Sequence, residues 1–353
     1  MTAPSGCNAP TARLPTRMFT EAAQAADAIG RMLDDNAAVV DRLAARLRAE
    51  APRFVVTCAR GSSDHAATFA KYVIETQLGL VTASASPSVT SLYAATPRLQ
   101  GALYLAISQS GRSPDLIRNA RMARAAGACV VALVNHEDSP LADAAEVVIP
   151  LHAGMESSVA ATKSYVCTLA AILHLTARWK QDAALEQALR TLPELLHAAW
   201  SADWSALSEG LTDARNLFVL GRGPGLGVAL EAALKLKETC GIHAEAFSTA
   251  EVRHGPMALV GPGFPVLVLT QQDESLASTL ELAAEFCARG ARVWVASTQN
   301  CAHGHLAVPA TTHPACAPIA EIVSFYRAAN ALALRRGYDP DLPPHLKKVT
   351  ETL

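Results

Sequence analysis

One segment in the second half of the chain holds several side chains that can move protons. The segment "LKLKETCGIHAEAFSTAEVRHGP", residues 234–256, is rich in lysine, glutamate and histidine. Within it Lys235 precedes Glu238 by three residues, which places both side chains on one face of a helix. A carboxylate can act as a general base, and a histidine, present here at position 254, can act as a general acid or base. The segment is therefore either a proton-transfer site or the solvated face of a surface helix, and the rest of the chain decides between them.

Hydroxyl side chains are concentrated in two turns of the first half. The sequences "ARGSS" (59–63) and "SQSGRS" (108–113) each follow an apolar strand pattern and precede a helix pattern. The second turn offers three hydroxyls and a carboxamide, on Ser108, Ser110, Ser113 and Gln109. At a helix N-terminus, the free N–H groups and the helix dipole favour a phosphate. A single turn of this kind is usually only a helix cap, but two at the ends of successive strands favour phosphate binding.

The order of strand and helix patterns predicts the elements that carry these turns. An Ala-rich pattern from Met18 to Glu50 indicates one or two helices. A strand, a turn and a helix then follow in 53–75 and again in 102–127, and two short apolar strands lie in 128–135 and 145–151. Strands that alternate with helices predict an α/β fold with a doubly wound parallel sheet. Ligands bind such sheets beyond the carboxyl ends of the strands, which is where both turns lie.

The second half repeats this pattern at a constant distance along the chain. Arg60 lines up with Arg222, since 222 − 60 = 162, and Ser108 lines up with Thr270, since 270 − 108 = 162. A repeat of this length is domain-sized and predicts two tandem α/β domains. The expected division is a flexible lead, a first domain with N-terminal helices, and a second domain with a catalytic C-terminal tail, at 1–17, 18–200 and 201–353.

The two halves differ in the turn that would hold a phosphate. In the second half the equivalent turn reads "TQQDES", residues 270–275, with Asp273 and Glu274 where the first half has glycine and arginine. Acidic side chains repel a phosphate, so the phosphate is expected in the first half alone.

Composition excludes several classes of function. The 353 residues carry a formal net charge of −2, which gives no reason to bind nucleic acid or an acidic membrane surface. Eight cysteines without a CxxC pair are typical of a reducing compartment. The N-terminus has no secretory signal, and no apolar run approaches the roughly 18 residues of a membrane span. We expect a cytoplasmic protein without a metal site, in which His303 and His305 are loop residues.

Several motifs in a fixed order identify a resemblance to a known family. They read "SQSGRS", "SSVAATKSY", "ALKLKE", "AEAFSTAEVRHGP" and "LKKVTETL". With them the chain resembles the sugar isomerase (SIS) family from about residue 18 onward, and most closely the isomerase half of glucosamine-6-phosphate synthase. The glutaminase domain of the synthase is expected to be absent, because Met1 is followed by Thr2. The chain is thus similar to the stand-alone glucosamine-6-phosphate deaminases with two flavodoxin-like SIS domains, which form fructose 6-phosphate and ammonia.

The resemblance implies a set of substrate-binding residues. The family holds its sugar phosphate through a serine of the first turn and through the second turn, which correspond here to Ser63, Ser108, Gln109, Ser110 and Ser113. The segment "VAAT", 159–162, matches a sugar-binding segment of the family. Ala161 replaces the serine of that segment, so the implied contact is through the backbone of Val159.

The resemblance also implies catalytic roles and a homodimer. The general base is the glutamate that closes "LKLKE", Glu238, with Lys235 on the same helix face. The ring-opening histidine is His254, which the family supplies from the neighbouring subunit. A C-terminal lysine corresponds to Lys348, or to Lys347 in an alignment on "VT". Histidine would open the sugar ring, the carboxylate would move a hydrogen between C2 and C1, and a lysine would stabilise charge on the C1 oxygen, without a metal or organic cofactor.

Three functions remain open at this stage. The first is glucosamine-6-phosphate deaminase and isomerase. The second is a related hydrolase, either a fructosamine-6-phosphate deglycase or a galactosamine-6-phosphate deaminase. The third is a non-catalytic phosphosugar sensor, which the residues disfavour because base, histidine and lysine are all present and no helix-turn-helix segment precedes the first domain.

Overall fold

The computed structural model describes residues 15–302 and 304–348 of the chain. In this part the chain forms two five-stranded sheets that are linked and flanked by helices. Adjacent strands are parallel throughout both sheets. Among the described helices, none has the length and apolar character needed to cross a membrane.

The first sheet belongs to the first half of the chain. Its strands are β1 (Phe54–Cys58), β2 (Thr82–Ser84), β3 (Ala102–Ser108), β4 (Cys129–Val134) and β5 (Val147–Pro150). Their order is β2-β1-β3-β4-β5, and the central strand β3 is buried at every position, as a parallel strand covered on both faces should be. The helices of this half are α1 (Arg17–Ala23), α2 (Ala25–Glu50), α3 (Ser62–Leu78), α4 (Pro87–Ser91), α5 (Pro114–Ala125), α6 (Pro140–Ala144) and α7 (Lys163–Lys180).

The second sheet repeats this architecture. Three helices lead into it, α8 (Ala183–Arg190), α9 (Leu192–Ser201) and α10 (Ser205–Gly210). The strands are β6 (Asn216–Gly221), β7 (His243–Ser248), β8 (Pro265–Leu269), β9 (Arg292–Ser297) and β10 (His305–Ala307), in the order β10-β9-β8-β6-β7. The helices α11 (Gly225–Cys240), α12 (Leu276–Ala288) and α13 (Ala317–Arg335) accompany them, with short 3-10 turns at Glu251–His254, Pro256–Leu259 and Pro314–Cys316.

The internal repeat predicted from the sequence is present in the fold. Strand β1 begins at Phe54 and β6 at Asn216, and 216 − 54 = 162. Helix α5 begins at Pro114 and α12 at Leu276, and 276 − 114 is again 162. Read from β7, the second sheet has the same order as the first, the flavodoxin-like order 2-1-3-4-5. The prediction of two tandem doubly wound α/β domains is confirmed.

A shared hydrophobic core joins the two halves. One cluster of buried side chains runs from Met18 and Ile29 in the N-terminal helices to Phe325 in α13. Helix α1 packs against α13, and the carboxylate of Asp341 accepts the backbone N–H groups of Arg17 and Met18 at 2.8 Å each. The N-terminal helices therefore hold the second half as well as the first. Helix α1 begins at Arg17, the last residue of the expected lead, whose residues 1–14 lie outside the described part.

Helices α3 and α11 cross at very short range, and this crossing positions the site. At Gly227 an added Cβ would lie 2.7 Å from the carbonyl oxygen of His65 and 2.8 Å from the backbone nitrogen of Phe69. The hydroxyl of Tyr165 donates to the carbonyl oxygen of Gly227 at 3.1 Å. Glycine is needed here because any side chain would push the two helices apart. The crossing brings the first turn of α3, from the first half, against the middle of α11, from the second.

Candidate active site

One cavity brings together the two hydroxyl-rich turns and helix α11. It has a volume of about 340 Å³ and lies at the carboxyl ends of β1 and β3. Nine of the ten predicted site residues line it, namely Ser63, Ser108, Gln109, Ser110, Ser113, Val159, Lys235, Glu238 and Lys348. The tenth, His254, does not line it. The fold thus collects residues that are far apart in the sequence into one place.

The turn between β3 and α5 presents hydroxyl groups that can still donate. The Oγ of Ser108 accepts the N–H of Gly111 at 3.1 Å, and the Oγ of Ser110 accepts the N–H of Arg112 at 3.3 Å. Each hydroxyl uses a lone pair in this contact and keeps its own hydrogen for a ligand oxygen. Gly111 has a φ of 64°, and a Cβ there would lie 2.1 Å from the Oγ of Ser139, so the turn requires glycine.

Both helices that follow the turns begin without a side-chain cap. The N-cap residues are Gly61 for α3 and Ser113 for α5, and neither makes a side-chain capping hydrogen bond. Gly61, Ser63 and Ser113 all border the cavity. Two helix N-termini, with first-turn N–H groups and positive dipole ends, therefore meet at the cavity, which is an arrangement suited to a phosphate.

In the second half, a side chain occupies the corresponding turn. The Oε1 of Gln271 accepts the N–H of Gly225 at 2.8 Å, at the start of α11. Its Nε2 donates to the carbonyl oxygen of Arg222 and to Oδ2 of Asp273, both at 3.0 Å. Asp273 is in turn held by Ser275, whose Oγ donates to Oδ1 at 2.5 Å. Gln271 thus uses an N–H group at the start of α11, and the location of a phosphate in the first half alone stays a prediction.

Lys235 carries a buried charge on the α11 wall of the cavity. Its Nζ lies 2.5 Å from Oε2 of Glu238, 3.3 Å from Oε1 of Glu231 and 3.2 Å from Oγ of Ser62. Burial lowers the pKa of Lys235, but the two carboxylates outweigh it and the net pKa is raised. Lys235 is therefore an ammonium group held in place inside the protein, as electrostatic stabilisation of an oxyanion requires.

Glu231 anchors this arrangement and was not anticipated from the sequence. Its fully buried carboxylate accepts hydrogen bonds from Ser62 at 3.1 Å and from Tyr326 at 3.1 Å, and it contacts Nδ1 of His65 at 3.0 Å. Burial raises the pKa of Glu231, but Lys235, His65 and Ser62 together bring it below its ordinary value. A signal was available, because Glu231 lies four residues before Lys235 on the same helix face.

The C-terminal lysine lies against the segment that contains Val159. The Nζ of Lys348 donates to the carbonyl oxygen of Ser158 at 2.7 Å and lies 3.3 Å from Oε2 of the buried Glu156. Burial raises the pKa of Glu156, but Lys348 and three hydrogen bonds from Thr162 and Ser164 lower it overall. Lys347 also lines the cavity but is exposed. This geometry favours Lys348 over Lys347, and the role of either stays a prediction.

His254 is held outside the cavity of its own chain. It ends the 3-10 turn Glu251–His254 and is exposed to solvent. In the segment before it, residues 243–248 form the edge strand β7. Strand β7 pairs in parallel with β6. The chain therefore runs away from Glu238, which lies near the end of α11, before it reaches His254. His243 is exposed at the first position of β7.

The described residues show no metal centre. No group of three or more histidine, cysteine, aspartate or glutamate side chains in 15–302 and 304–348 is arranged to hold a metal ion. His305, expected in a loop, is instead the first residue of strand β10, and its Nε2 contacts the carbonyl oxygen of Ser297 at 3.0 Å. His303 lies outside the described residues.

Known proteins resemble this chain over most of its length. Glutamine–fructose-6-phosphate aminotransferase [isomerizing] from Zymomonas mobilis is 32% identical over 315 residues, which cover 83% of this chain and 51% of that protein. The chain spans about half the length of the curated relatives it matches.

Two solved structures have the same fold. A protein from Silicibacter pomeroyi assigned as a phosphosugar isomerase is 46% identical, with a TM-score of 0.89, and the match covers 92% of this chain and 100% of that chain. The C-terminal domain of glucosamine-fructose-6-phosphate aminotransferase from Francisella tularensis is 25% identical, with a TM-score of 0.84, and the match covers 95% and 100% of the two chains.

The family match follows the internal repeat. The SIS domain matches residues 50–178, which contain the first sheet, and again residues 210–334, which contain the second. The cavity lies at the end of the first copy and is closed by helix α11 of the second. The chain is a member of the SIS domain family with two copies of the domain.

Proposed function

We propose that this chain is a phosphosugar isomerase that converts glucosamine 6-phosphate and water to fructose 6-phosphate and ammonia. The observation that carries the proposal is one cavity that combines a serine-lined turn with the ion pair between the buried Lys235 and the partly exposed Glu238. Its volume of about 340 Å³ is that of a small-molecule site. The curated relatives are named glutamine–fructose-6-phosphate aminotransferase [isomerizing]. Because that name combines the transfer of an amino group with fructose 6-phosphate and isomerisation, these relatives support an amino sugar substrate.

The serine turn, residues 108–113 between β3 and α5, binds the phosphate group of this substrate together with Ser63 of the turn between β1 and α3. Hydroxyls of Ser63, Ser108, Ser110 and Ser113 and the amide of Gln109 donate to its oxygens, together with N–H groups at the starts of α3 and α5. A phosphate held there places the sugar between the turn and α11, and the backbone of Val159 contacts its hydroxyls. These contacts are made equally in the ground state and the transition state, so they increase the affinity for the substrate and do not raise kcat.

Glu238 and Lys235 perform the isomerisation of the open-chain sugar. The carboxylate of Glu238 takes the hydrogen from C2, the electron pair forms a C1–C2 double bond, and negative charge develops on the C1 oxygen. The ammonium of Lys235 stabilises that charge. The proton then returns from Glu238 to C1, and the C1 oxygen takes a proton from the nitrogen at C2, which leaves a C1 hydroxyl and an imine at C2. Water adds to the imine and ammonia leaves, which gives the C2 ketone of fructose 6-phosphate.

Lys348 supplies a second ammonium at the side of the cavity formed by Ser158 and Val159. Its contact with the buried Glu156 holds it at that wall. We assign it to the oxygen and nitrogen substituents at C1 and C2, where a donor is needed as the imine is hydrolysed.

The protein acts in the cytoplasm, in keeping with the unpaired thiols of the seven described cysteines.

A homodimer completes the site by supplying His254 from the partner. His254 is exposed and absent from the cavity of its own chain, while ring opening needs a group that titrates near neutrality. Large apolar side chains are exposed near both parts of the proposed contact, since Leu259 follows His254 by five residues and Leu346 lines the cavity. Exposed apolar groups of this kind support an interface, and a two-fold axis would create two equivalent composite sites.

An ammonia-release assay over a substrate panel tests the proposal. The panel contains glucosamine, galactosamine and N-acetylglucosamine 6-phosphates, a fructosamine 6-phosphate and unphosphorylated glucosamine. The proposal expects release from glucosamine 6-phosphate and none from glucosamine. A preference for galactosamine 6-phosphate or for the fructosamine 6-phosphate would show that this compound, and not glucosamine 6-phosphate, is the substrate. Binding without turnover of any of them would indicate a sensor.

A further inference from the structure

Arg60 places a guanidinium group at the end of the cavity where the two helices begin. It lies in the turn between β1 and α3 and lines the cavity. Its Nε and NH2 atoms lie 2.9 Å and 2.8 Å from Oδ2 of Asp115, in the first turn of α5. The Asp115 side chain is fully buried, whereas that of Arg60 is 47% exposed. The ion pair therefore ties the two helix starts together through Nε and NH2, while about half of the Arg60 side chain stays exposed.

Two other cations that line the cavity, Lys235 and Lys348, contact carboxylates of this chain. The ammonium of Lys235 is shared by Glu231 and Glu238, and that of Lys348 contacts Glu156. The residues of the serine turn that line the cavity, Ser108, Gln109, Ser110 and Ser113, contribute hydroxyls, a carboxamide and helix-end dipoles but no formal charge. A sugar phosphate carries close to two negative charges at neutral pH, so a fixed cation beside this turn would add substantially to its binding.

We propose that Arg60 is a further substrate-binding residue, which contacts the phosphate of the sugar from the edge of the serine turn. Asp115 is its positioning residue, because it takes one edge of the guanidinium and fixes the orientation of the rest. Arginine suits this task since its planar fork can hold a carboxylate and a phosphate at the same time, which the single ammonium of lysine cannot. This inference rests on the proposed function, because it takes the ligand to be a phosphosugar.

The test compares variants at Arg60 with a matched control on helix α5. The variants are Arg60→Gln and Arg60→Lys, and the control is Arg121→Gln, which removes an exposed arginine that does not line the cavity. Calorimetry measures the dissociation constants of fructose 6-phosphate and of inorganic phosphate at low and high salt. Steady-state kinetics separate KM from kcat, and thermal unfolding reports whether each variant is folded.

The inference expects Arg60→Gln to weaken fructose 6-phosphate binding by roughly 10- to 100-fold, the usual contribution of a hydrogen bond to a charged group. KM should rise with little change in kcat, and binding should depend less on salt than in the wild type. Arg60→Lys should have an affinity between those of the wild type and Arg60→Gln. Arg121→Gln should bind within about twofold of wild type, as is usual for a substitution at a surface position.

Three results would overturn the inference. They are wild-type affinity in both Arg60 variants, an equal loss in Arg121→Gln, and an unchanged salt dependence in Arg60→Gln. If Arg60→Gln does not fold, Arg60→Lys decides by affinity alone, because it keeps a cation beside Asp115 but lacks the guanidinium fork, and wild-type affinity in that variant would overturn the inference. Binding of fructose 6-phosphate without turnover of any amino sugar would contradict the proposed function while leaving this test intact.

Discussion

The Nζ of Lys235 lies 2.5 Å from Oε2 of Glu238, and the same ammonium lies 3.3 Å from Glu231. The two carboxylates differ in access, since the side chain of Glu238 is 19% exposed and that of Glu231 is fully buried. Glu238 can therefore reach a substrate in the cavity, whereas Glu231 can only hold the lysine. This difference assigns the two glutamates of one helix to different tasks and sets the design of the mutants below.

Glu238→Gln should abolish turnover while leaving phosphosugar binding intact. The amide keeps the size and the hydrogen bonding of the side chain but cannot take a proton from carbon, so kcat should fall by roughly 10²–10⁴. Ammonia release and calorimetric binding of fructose 6-phosphate measure the two effects. Glu245→Gln, on the exposed face of β7, is the matched control and should be as active as wild type. Near-normal turnover in Glu238→Gln would mean that another group is the base.

Ser110→Ala should raise KM for the 6-phosphate substrate far more than it lowers kcat. It removes a hydroxyl whose contact with phosphate is the same in the ground and transition states, with a loss of roughly 3- to 10-fold in affinity for one hydrogen bond. Ser278→Ala, at an exposed position of α12, is the control. Equal activity of the wild type on unphosphorylated glucosamine would refute the phosphate assignment.

Two inactive mutants should complement each other if the active sites are shared. In a mixed dimer of Glu238→Gln and His254→Ala chains, one of the two composite sites has both groups intact. With random exchange, about half of the dimers are mixed, so roughly a quarter of all sites would be restored. The measurement is ammonia release after mild dissociation and remixing, with differently tagged chains to confirm exchange. Confirmed exchange without recovered activity would place His254 in the site of its own subunit.

Glu231→Gln should destabilise the protein in a pH-dependent way. The folded-state pKa of Glu231 is lowered, so its ionised form contributes stability above the ordinary glutamate pKa of about 4.3 and loses it as the pH falls through the folded-state value. We expect the mutant to be less stable by about 1–3 kcal/mol at pH 7, the cost of a lost charged hydrogen bond. That difference should shrink below about pH 4.3. Urea unfolding from pH 3 to pH 7 measures it, and a difference that does not vary with pH would contradict the assignment.

Gly227→Ala should lower both stability and activity. The added methyl would lie 2.7 Å and 2.8 Å from backbone atoms of α3, which cannot move without separating α3 from α11. Overpacking of this kind costs about 1–3 kcal/mol, more than the gain of up to about 1 kcal/mol from the better helix propensity of alanine. Gly261→Ala is the control, because nothing lies within 4 Å of an added Cβ there. Unfolding free energies and kcat report the result, and wild-type values for Gly227→Ala would show that the crossing tolerates separation.

The sequence by itself determined the fold class, the repeat and the serine turn. Each of these depends on neighbours along the chain. Buried parallel strands are short apolar runs, and their alternation with helices is visible without a structure. A duplicated domain leaves a constant offset, and the 162-residue spacing reappears at the starts of β6 and α12. The pair of Lys235 and Glu238 was accessible for the same reason, since helical spacing fixes which side chains share a face.

The tertiary structure alone decided which distant groups complete the site. Glu231 and His65 are 166 residues apart, and Lys348 and Glu156 are 192 apart, so no local pattern connects the members of either pair. They meet because α3 and α11 cross at a glycine and because the C-terminal segment returns to the first domain. The position of His254 outside its own cavity depends likewise on the pairing of β7 with β6, a contact that the irregular polarity of that segment did not reveal.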